Sequence, residues 1–317
     1  MIKPHVAPTL DGGPWFDEIL PFDPRAQVPD HRTAALIHRL RADRPDLAVL
    51  LPNSFRSAAM AWLGGAKRRV GYARGGRGFL LTDRLVAPRQ ASGAFEPTPI
   101  VDYYLRLARH LACPIDSPRT ELYTTAADER AADAAWSRLG LVGDRPVVCL
   151  NTGGAFGPAK CWPTEHFAAL ATRLAVEKSA SILVVCGPGE RADARAIVAG
   201  AAHPRVVSLA DEPLSLGLTK ASVRRSALLI TTDSGPRHFA APFGVPELSL
   251  FGPTHIAWTR THHPLAVHLQ HRVPCGPCQQ PVCPEGHHRC MRDLSPDAVF
   301  AAAVRMLGRA GLAAKGA

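Results

Sequence analysis

Between residues 147 and 251 short apolar runs alternate with stretches of helical spacing, and this rhythm restricts the fold more than any other feature of the chain. The runs 147–150, 181–186, 206–209, 228–231 and 247–251 read as strands. The segments between them, 164–177, 190–201, 214–225 and 237–243, read as helices. Five strands joined by four helical crossovers make a doubly wound parallel sheet, an α/β fold. A last helix is expected from Ser295, an N-cap followed by Pro296 at the first helical position, to Leu307 before Gly308.

The first half carries the same alternation less cleanly. A buried strand is expected at 46–52, a helix at 55–63, a short strand at 69–72 and helical spacing over 98–111, stopped by Pro114. A helix at 128–139 ends at Gly140, and Gly143-Asp144-Arg145-Pro146 reads as a connector. The expected division is therefore 1–143 and 144–317, and 317 residues suffice for two domains. The longest apolar runs, 47–51 and 182–186, are far shorter than the roughly 18 residues that span a bilayer. Met1-Ile2-Lys3-Pro4-His5 leads into polar residues rather than an apolar signal stretch, so a cytoplasmic protein is expected. Lys and Arg exceed Asp and Glu by 10, which favours an anionic partner: a nucleotide, a phosphorylated lipid, an acidic sugar or nucleic acid.

The polar motifs fall at the predicted strand ends, where open α/β sheets bind ligands. Asn151-Thr152-Gly153-Gly154-Ala155-Phe156-Gly157-Pro158-Ala159-Lys160 runs from a strand to a helix. Its glycines let backbone amides approach an anion, Lys160 supplies a point charge for a phosphate, and Thr164 is placed to cap the next helix. It is also readable as a plain turn. Thr232-Asp233-Ser234-Gly235-Pro236-Arg237-His238 repeats the arrangement, with Asp233 or Ser234 as a cap and free amides near Gly235; an ordinary N-cap with a buried His is the other reading. Glu190, after Gly187-Pro188-Gly189, is within reach of a ribose hydroxyl pair or serves only the helix dipole. In the first half, Asn53-Ser54-Phe55-Arg56-Ser57 follows a strand, and Lys67, Arg68, Arg69, Arg74 and Arg77 crowd the next segment. These bases suit a phosphorylated or carboxylated acceptor, a membrane surface or a solvated face. No RNA-binding motif accompanies them, so nucleic acid is not expected.

Eight cysteines are present. Cys113, Cys149, Cys161 and Cys186 stand singly among apolar residues, as small buried hydrophobes do. Cys275, Cys278, Cys283 and Cys290, with His287 and His288 in the last interval, are a candidate zinc site or a structural loop rich in proline turns.

Taken in order, Leu51-Pro52-Asn53-Ser54-Phe55-Arg56-Ser57, Gly71-Tyr72, Gly157-Pro158-Ala159-Lys160-Cys161-Trp162-Pro163, Asp233-Ser234-Gly235-Pro236-Arg237-His238 and Phe251-Gly252-Pro253-Thr254 resemble the ADP-heptose:lipopolysaccharide heptosyltransferases of glycosyltransferase family 9, most closely type II. The resemblance covers nearly the whole chain. It implies a GT-B fold, two Rossmann-like domains facing a cleft, with a nucleotide-sugar site in 144–317 and an acceptor site in 1–143. The implied reaction needs no metal or other cofactor. The implied donor is ADP-heptose, held by Thr152, Gly153, Lys160, Glu190, Asp233, Ser234, Gly235 and His238, with Lys160 and Asp233 in the chemistry. The implied acceptor is the lipid A inner core, met by Asn53, Ser54, Arg56 and Arg69, with peripheral contact at the inner face of the inner membrane.

Members of the family open with a strand and a Gly-Asp turn whose aspartate is the base. Here Asp11-Gly12 lacks a preceding buried strand and is not assigned that role. The expectation is that about one βα unit lies upstream of Met1, or that the product is catalytically impaired and binds an ADP-sugar or glycan without turning it over. An NAD-type dehydrogenase is disfavoured, because no Gly-x-Gly-x-x-Gly turn opens either sheet.

Overall fold

A computed structural model describes residues 1–154 and 156–313, so Ala155 of the first motif lies outside the described residues. The chain divides into two compact units. The first comprises 1–8, 14–118 and 257–260, and the second comprises 9–13, 119–256 and 261–317.

In the first unit, strands β1 (Leu47–Leu50), β2 (Arg68–Tyr72) and β3 (Asp83–Leu85) form a parallel sheet in that order. Helices α1 (Thr33–Asp43), α2 (Phe55–Leu63) and α3 (Ile100–His110) accompany it. Two small cores hold it together. One is centred on Leu50, Ala58 and Leu80, and the other on Val70, Tyr72, Tyr103 and Leu107.

The second unit begins with α4 (Ala126–Arg138) and carries strands β4 (Val147–Asn151), β5 (Ser181–Val185), β6 (Val206–Ser208), β7 (Leu228–Thr232), β8 (Glu247–Phe251) and β9 (Ala266–Gln270). All pairings are parallel, in the order β6-β5-β4-β7-β8-β9. The remaining helices are α5 (Thr164–Glu177), α6 (Arg191–Ala201), α7 (Leu216–Arg224), α8 (Arg237–Phe243), α10 (Arg289–Arg292) and α11 (Pro296–Ala313), with α9 (Ile256–Thr259) straddling the boundary between the units.

Strand side chains alternate between two cores. Val148, Leu150, Ile182 and Val184 meet α5, α6 and α11 on one face, while Val147, Cys149, Leu183 and Val185 meet α4, α7 and α8 on the other. Burial on both faces is why these strands read as unbroken apolar runs.

Several expectations change. The division falls after Pro118, not at 143: Ala132, Ala135 and Trp136 of α4 are buried against Leu218 and Ala221 of α7, so α4 belongs to the second sheet and Gly143–Pro146 is merely its turn into β4. A sixth strand, β9, was not expected, and its residues are only half-buried at the sheet's edge. Ser295 Oγ does accept from the Ala298 amide (3.2 Å), but α11 continues through Gly308 to Ala313. A glycine costs a helix about 1 kcal/mol, which weakens it without ending it. Cys149 and Cys186 are buried, whereas Cys113 is exposed. No helix among the described residues is long and apolar enough to cross a membrane.

Candidate functional site

The sheet of the second unit reverses its winding between β4 and β7, and the carboxyl ends of the strands at such a switch point are where an open α/β sheet receives its ligand. Here β4 leads into Thr152, Gly153 and Gly154, and β7 leads into Asp233, Ser234 and Gly235. The two ends are tied together. Asn151 Nδ2 donates to Thr231 Oγ1 (2.9 Å) and to Ser234 Oγ (2.6 Å), and Thr232 Oγ1 donates to the Gly153 carbonyl (2.8 Å).

Lys160 closes a single 3-10 turn, Pro158–Lys160. Its Nζ donates to the Asp233 carboxylate (2.6 Å) and to the Asp233 carbonyl (2.9 Å), and lies 4.7 Å from the centre of the Phe156 ring. Asp233 also accepts from Thr254 Oγ1 (2.8 Å), with Arg237 Nη1 at 3.7 Å. Burial alone would raise the pKa of this carboxyl. The hydrogen bond and charge of Lys160, the Thr254 hydroxyl and the Arg237 charge outweigh burial, and hold it below the ordinary carboxylate value. Asp233 therefore stays ionised, holds Lys160 Nζ through its carboxylate and its carbonyl, and is a poor proton acceptor at neutral pH.

Beneath it Arg237, fully buried, donates from Nε to Glu247 Oε1 (3.0 Å) and Ser249 Oγ (3.2 Å). The sequence reading missed Arg237, Glu247 and Thr254 as parts of this site. The available signal was an acidic residue opening an apolar strand, since a carboxylate buried there requires a partner.

The other expected residues converge on the same place. The Glu190 carboxylate accepts from the Gly187 amide (2.7 Å) and lies directly over Gly153, where any Cβ would overlap it. Thr152 is buried, and its hydroxyl finds no hydrogen-bond partner among the described residues. His238 sits in the first turn of α8. Burial first, and then the neighbouring Arg237 charge, lower its pKa to about 4, so it presents a neutral imidazole at pH 7.

The capping expectations fail. Proline occupies both N-caps, Pro163 for α5 and Pro236 for α8, while Thr164 is already helical. The side chains of Asp233 and Ser234 are engaged by Lys160 and Asn151 instead.

In the first unit, Ser54 caps α2 by accepting from the Ser57 amide (3.2 Å), and Ser54 and Arg56 line a cavity of about 1050 Å³. Asn53 Oδ1 accepts from the Tyr103 hydroxyl (3.1 Å) and from Arg77 Nη2 (3.3 Å). The basic cluster does not behave as one face. Lys67 and Arg68 are exposed and paired with Asp46 and Asp83. Arg69, expected at the acceptor, spends its guanidinium on the carbonyls of Leu80 (2.7 Å), Ala66 (2.6 Å) and Lys67 (3.4 Å), which makes it a strut between the turns on either side of β2. Arg77 is fully buried and holds the loop after β1, reaching the Pro52 carbonyl, the Ser57 hydroxyl (3.0 Å) and the Tyr72 carbonyl (3.0 Å).

The four clustered cysteines are free thiols. Together with Ala159, Pro253 and His287 they line a cavity of about 10 Å³. Among the described residues no group of three or more His, Cys, Asp or Glu side chains converges to hold a metal ion, so the structure does not assemble the zinc site that the spacing suggested.

Two solved structures share this architecture and place it in the GT-B class. One is the ADP-heptose lps heptosyltransferase II of E. coli (TM-score 0.75, 24% identity, covering 97% of this chain and 88% of that one). The other is a glycosyl transferase family 9 protein of Veillonella parvula DSM 2008 (TM-score 0.79, 22% identity, covering 97% and 87%). The chain belongs to glycosyltransferase family 9 (heptosyltransferase), whose profile matches residues 33–289, and it is an enzyme of that class. It is 28% identical over 274 residues to lipopolysaccharide heptosyltransferase 2 of Escherichia coli (strain K12), covering 83% of this chain and 76% of that protein. To lipopolysaccharide heptosyltransferase 2 of Salmonella typhimurium it is 27% identical over 286 residues, covering 87% and 79%.

Proposed function

We propose that this glycosyltransferase moves a heptose from ADP-heptose to a sugar hydroxyl of the lipopolysaccharide inner core, with inversion at the anomeric carbon. The observation that carries the reading is the Lys160–Asp233 pair at the switch point, beside an unsatisfied buried hydroxyl on Thr152. A part-buried, oriented amino group is what a departing nucleoside diphosphate requires. The bond from the anomeric carbon to the diphosphate oxygen breaks, and negative charge grows on that oxygen where Lys160 meets it. The acceptor oxygen bonds to the opposite face of the same carbon and gives up its proton to a base.

Asp233 is held ionised by Lys160 and is not that base; no residue is assigned to the step. Thr152 gains a partner when a nucleotide arrives, and the Glu190 carboxylate over Gly153 is suited to a ribose hydroxyl pair. In the first unit, Arg56 on the cavity rim and Asn53, fixed by Arg77 and Tyr103, suit an anionic acceptor.

The test follows ADP release from ADP-heptose in the presence of a deep-rough lipid acceptor. The protein is expected to release ADP in step with acceptor glycosylation, and Lys160→Ala is expected to lower turnover on the order of 10²-fold, the loss typical of removing one stabilising group from a developing anion. Donor binding without release, or full turnover by Lys160→Ala, overturns the reading.

A further inference from the structure

The proposed reaction leaves the cysteine-rich segment 275–290 without a role, yet the structure places that segment directly against the Lys160 turn. The Ala159 amide donates to the Pro281 carbonyl (3.0 Å), and the Ala159 carbonyl accepts from His288 Nε2 (2.7 Å). A carbonyl carries no proton, so Nε2 must hold the hydrogen. Both polar backbone groups of the residue preceding Lys160 thus end on one loop.

The approach is close because Gly157, at φ 147°, has no Cβ; one built there would run into the Pro281 carbonyl. The same loop grips the opposite wall of the site. The Gln279 amide donates to the Pro253 carbonyl (2.8 Å), next to Thr254, whose hydroxyl holds Asp233.

The loop is itself held in shape. His288 has φ 53°, and its amide donates to Cys283 Sγ (3.4 Å). His287 Nδ1 accepts from the Arg289 amide (3.1 Å), which leaves its Nε2–H facing Cys275 Sγ at 3.8 Å. The thiol-lined cavity has Ala159 and Pro253 in its wall. The cluster therefore forms the packed back of the Lys160 and Thr254 turns.

We infer that His288 is a positioning residue for Lys160: by holding the Ala159 carbonyl it sets the direction in which the lysine ammonium meets the donor diphosphate. The inference rests on Lys160 being the diphosphate group, and it concerns the nucleotide-sugar side alone. His288→Ala is expected to lower kcat/KM for ADP-heptose about 10-fold, the scale of one lost hydrogen bond, and to leave the acceptor KM within about twofold. His288→Gln, whose amide N–H reaches as far as Nε2, is expected to recover most of the loss.

In the double variant Lys160→Ala/His288→Ala, the second substitution is expected to add little to the first, because His288 acts through Lys160. Equal losses on both substrates, no rescue by Gln, or full additivity overturns the inference. If Lys160→Ala itself keeps full turnover, it is the diphosphate reading that fails. Should His288→Ala not fold, Gly157→Ala, which pushes Pro281 away and leaves His288 intact, is expected to show the same donor-side loss; unchanged donor kinetics in that variant count against the inference.

Discussion

Among the residues whose burial is described, each unit buries one arginine completely, Arg77 beneath the loop after β1 and Arg237 beneath the loop after β7, and the two are satisfied in opposite ways. Arg77 in the first unit ends on neutral oxygens, those of Pro52, Ser54, Ser57, Asn53 and Tyr72, and burial lowers its pKa. Arg237 in the second ends on carboxylates, Glu247 and Asp233, with Ser249 beside them. The first shapes a loop. The second belongs to a charge network that reaches Lys160, so that the cation available to a ligand is set by carboxylates that are themselves anchored in the sheet. In the proposed reaction the former arrangement shapes the acceptor side, whereas the latter aims a cation at the developing diphosphate.

The difference is open to measurement by chemical denaturation and by activity. Arg237→Met strands Glu247 as a buried carboxylate, and is expected to cost about 3–5 kcal/mol. Adding Glu247→Leu is expected to restore much of that stability without restoring activity, because Asp233 has still lost a neighbour. Arg77→Met leaves several carbonyls unpaired but strands no charge, and a loss of about 1–3 kcal/mol is expected, together with a rise in acceptor KM. If Arg77→Met proves the more damaging of the two, the contrast between the units collapses.

A further effect is graded with pH. His238 is lowered to about 4 in the folded chain, whereas an unfolded histidine titrates near 6.5, so between these values the unfolded state holds more protons. Stability is therefore expected to fall as pH drops from about 6.5 towards 4, by up to about 1.4 kcal/mol per pH unit. Melting profiles across that window should flatten in His238→Gln. An unchanged profile would mean that the imidazole is not held neutral by the α8 environment.

Much of the second unit was legible because burial on both faces of its sheet writes strands as continuous apolar runs, and helices 164–177 and 237–243 and strand 247–251 match residue for residue. The edge strand β9 was not legible, since half-buried Ala266–Gln270 carries a weaker apolar signal. Lys160, Asp233, Ser234, Glu190, Gly153 and Thr152 are brought together at the switch point because all of them follow strands β4, β5 or β7. The charge run 67–77 misled because linear sequence does not distinguish an arginine facing water from one turned inward onto carbonyls: Arg69 and Arg77 look like Lys67 and Arg68 until the turn after β2 folds back over the loop after β1. The caps misled because Asp233 had a stronger suitor in Lys160 than in the amides of α8.

The empty side of Gly153 has a consequence for how variation in such chains is weighed. The Glu190 carboxylate occupies the volume that a methyl group would take, so a side chain at position 153 is admitted only if that carboxylate swings out of its place. Gly153→Ala, scored as mild by any similarity table, would evict the carboxylate while leaving Lys160 and Asp233 chemically intact. Under the proposed donor site, that one carbon atom separates the contact offered to a ribose from the contacts offered to the phosphates.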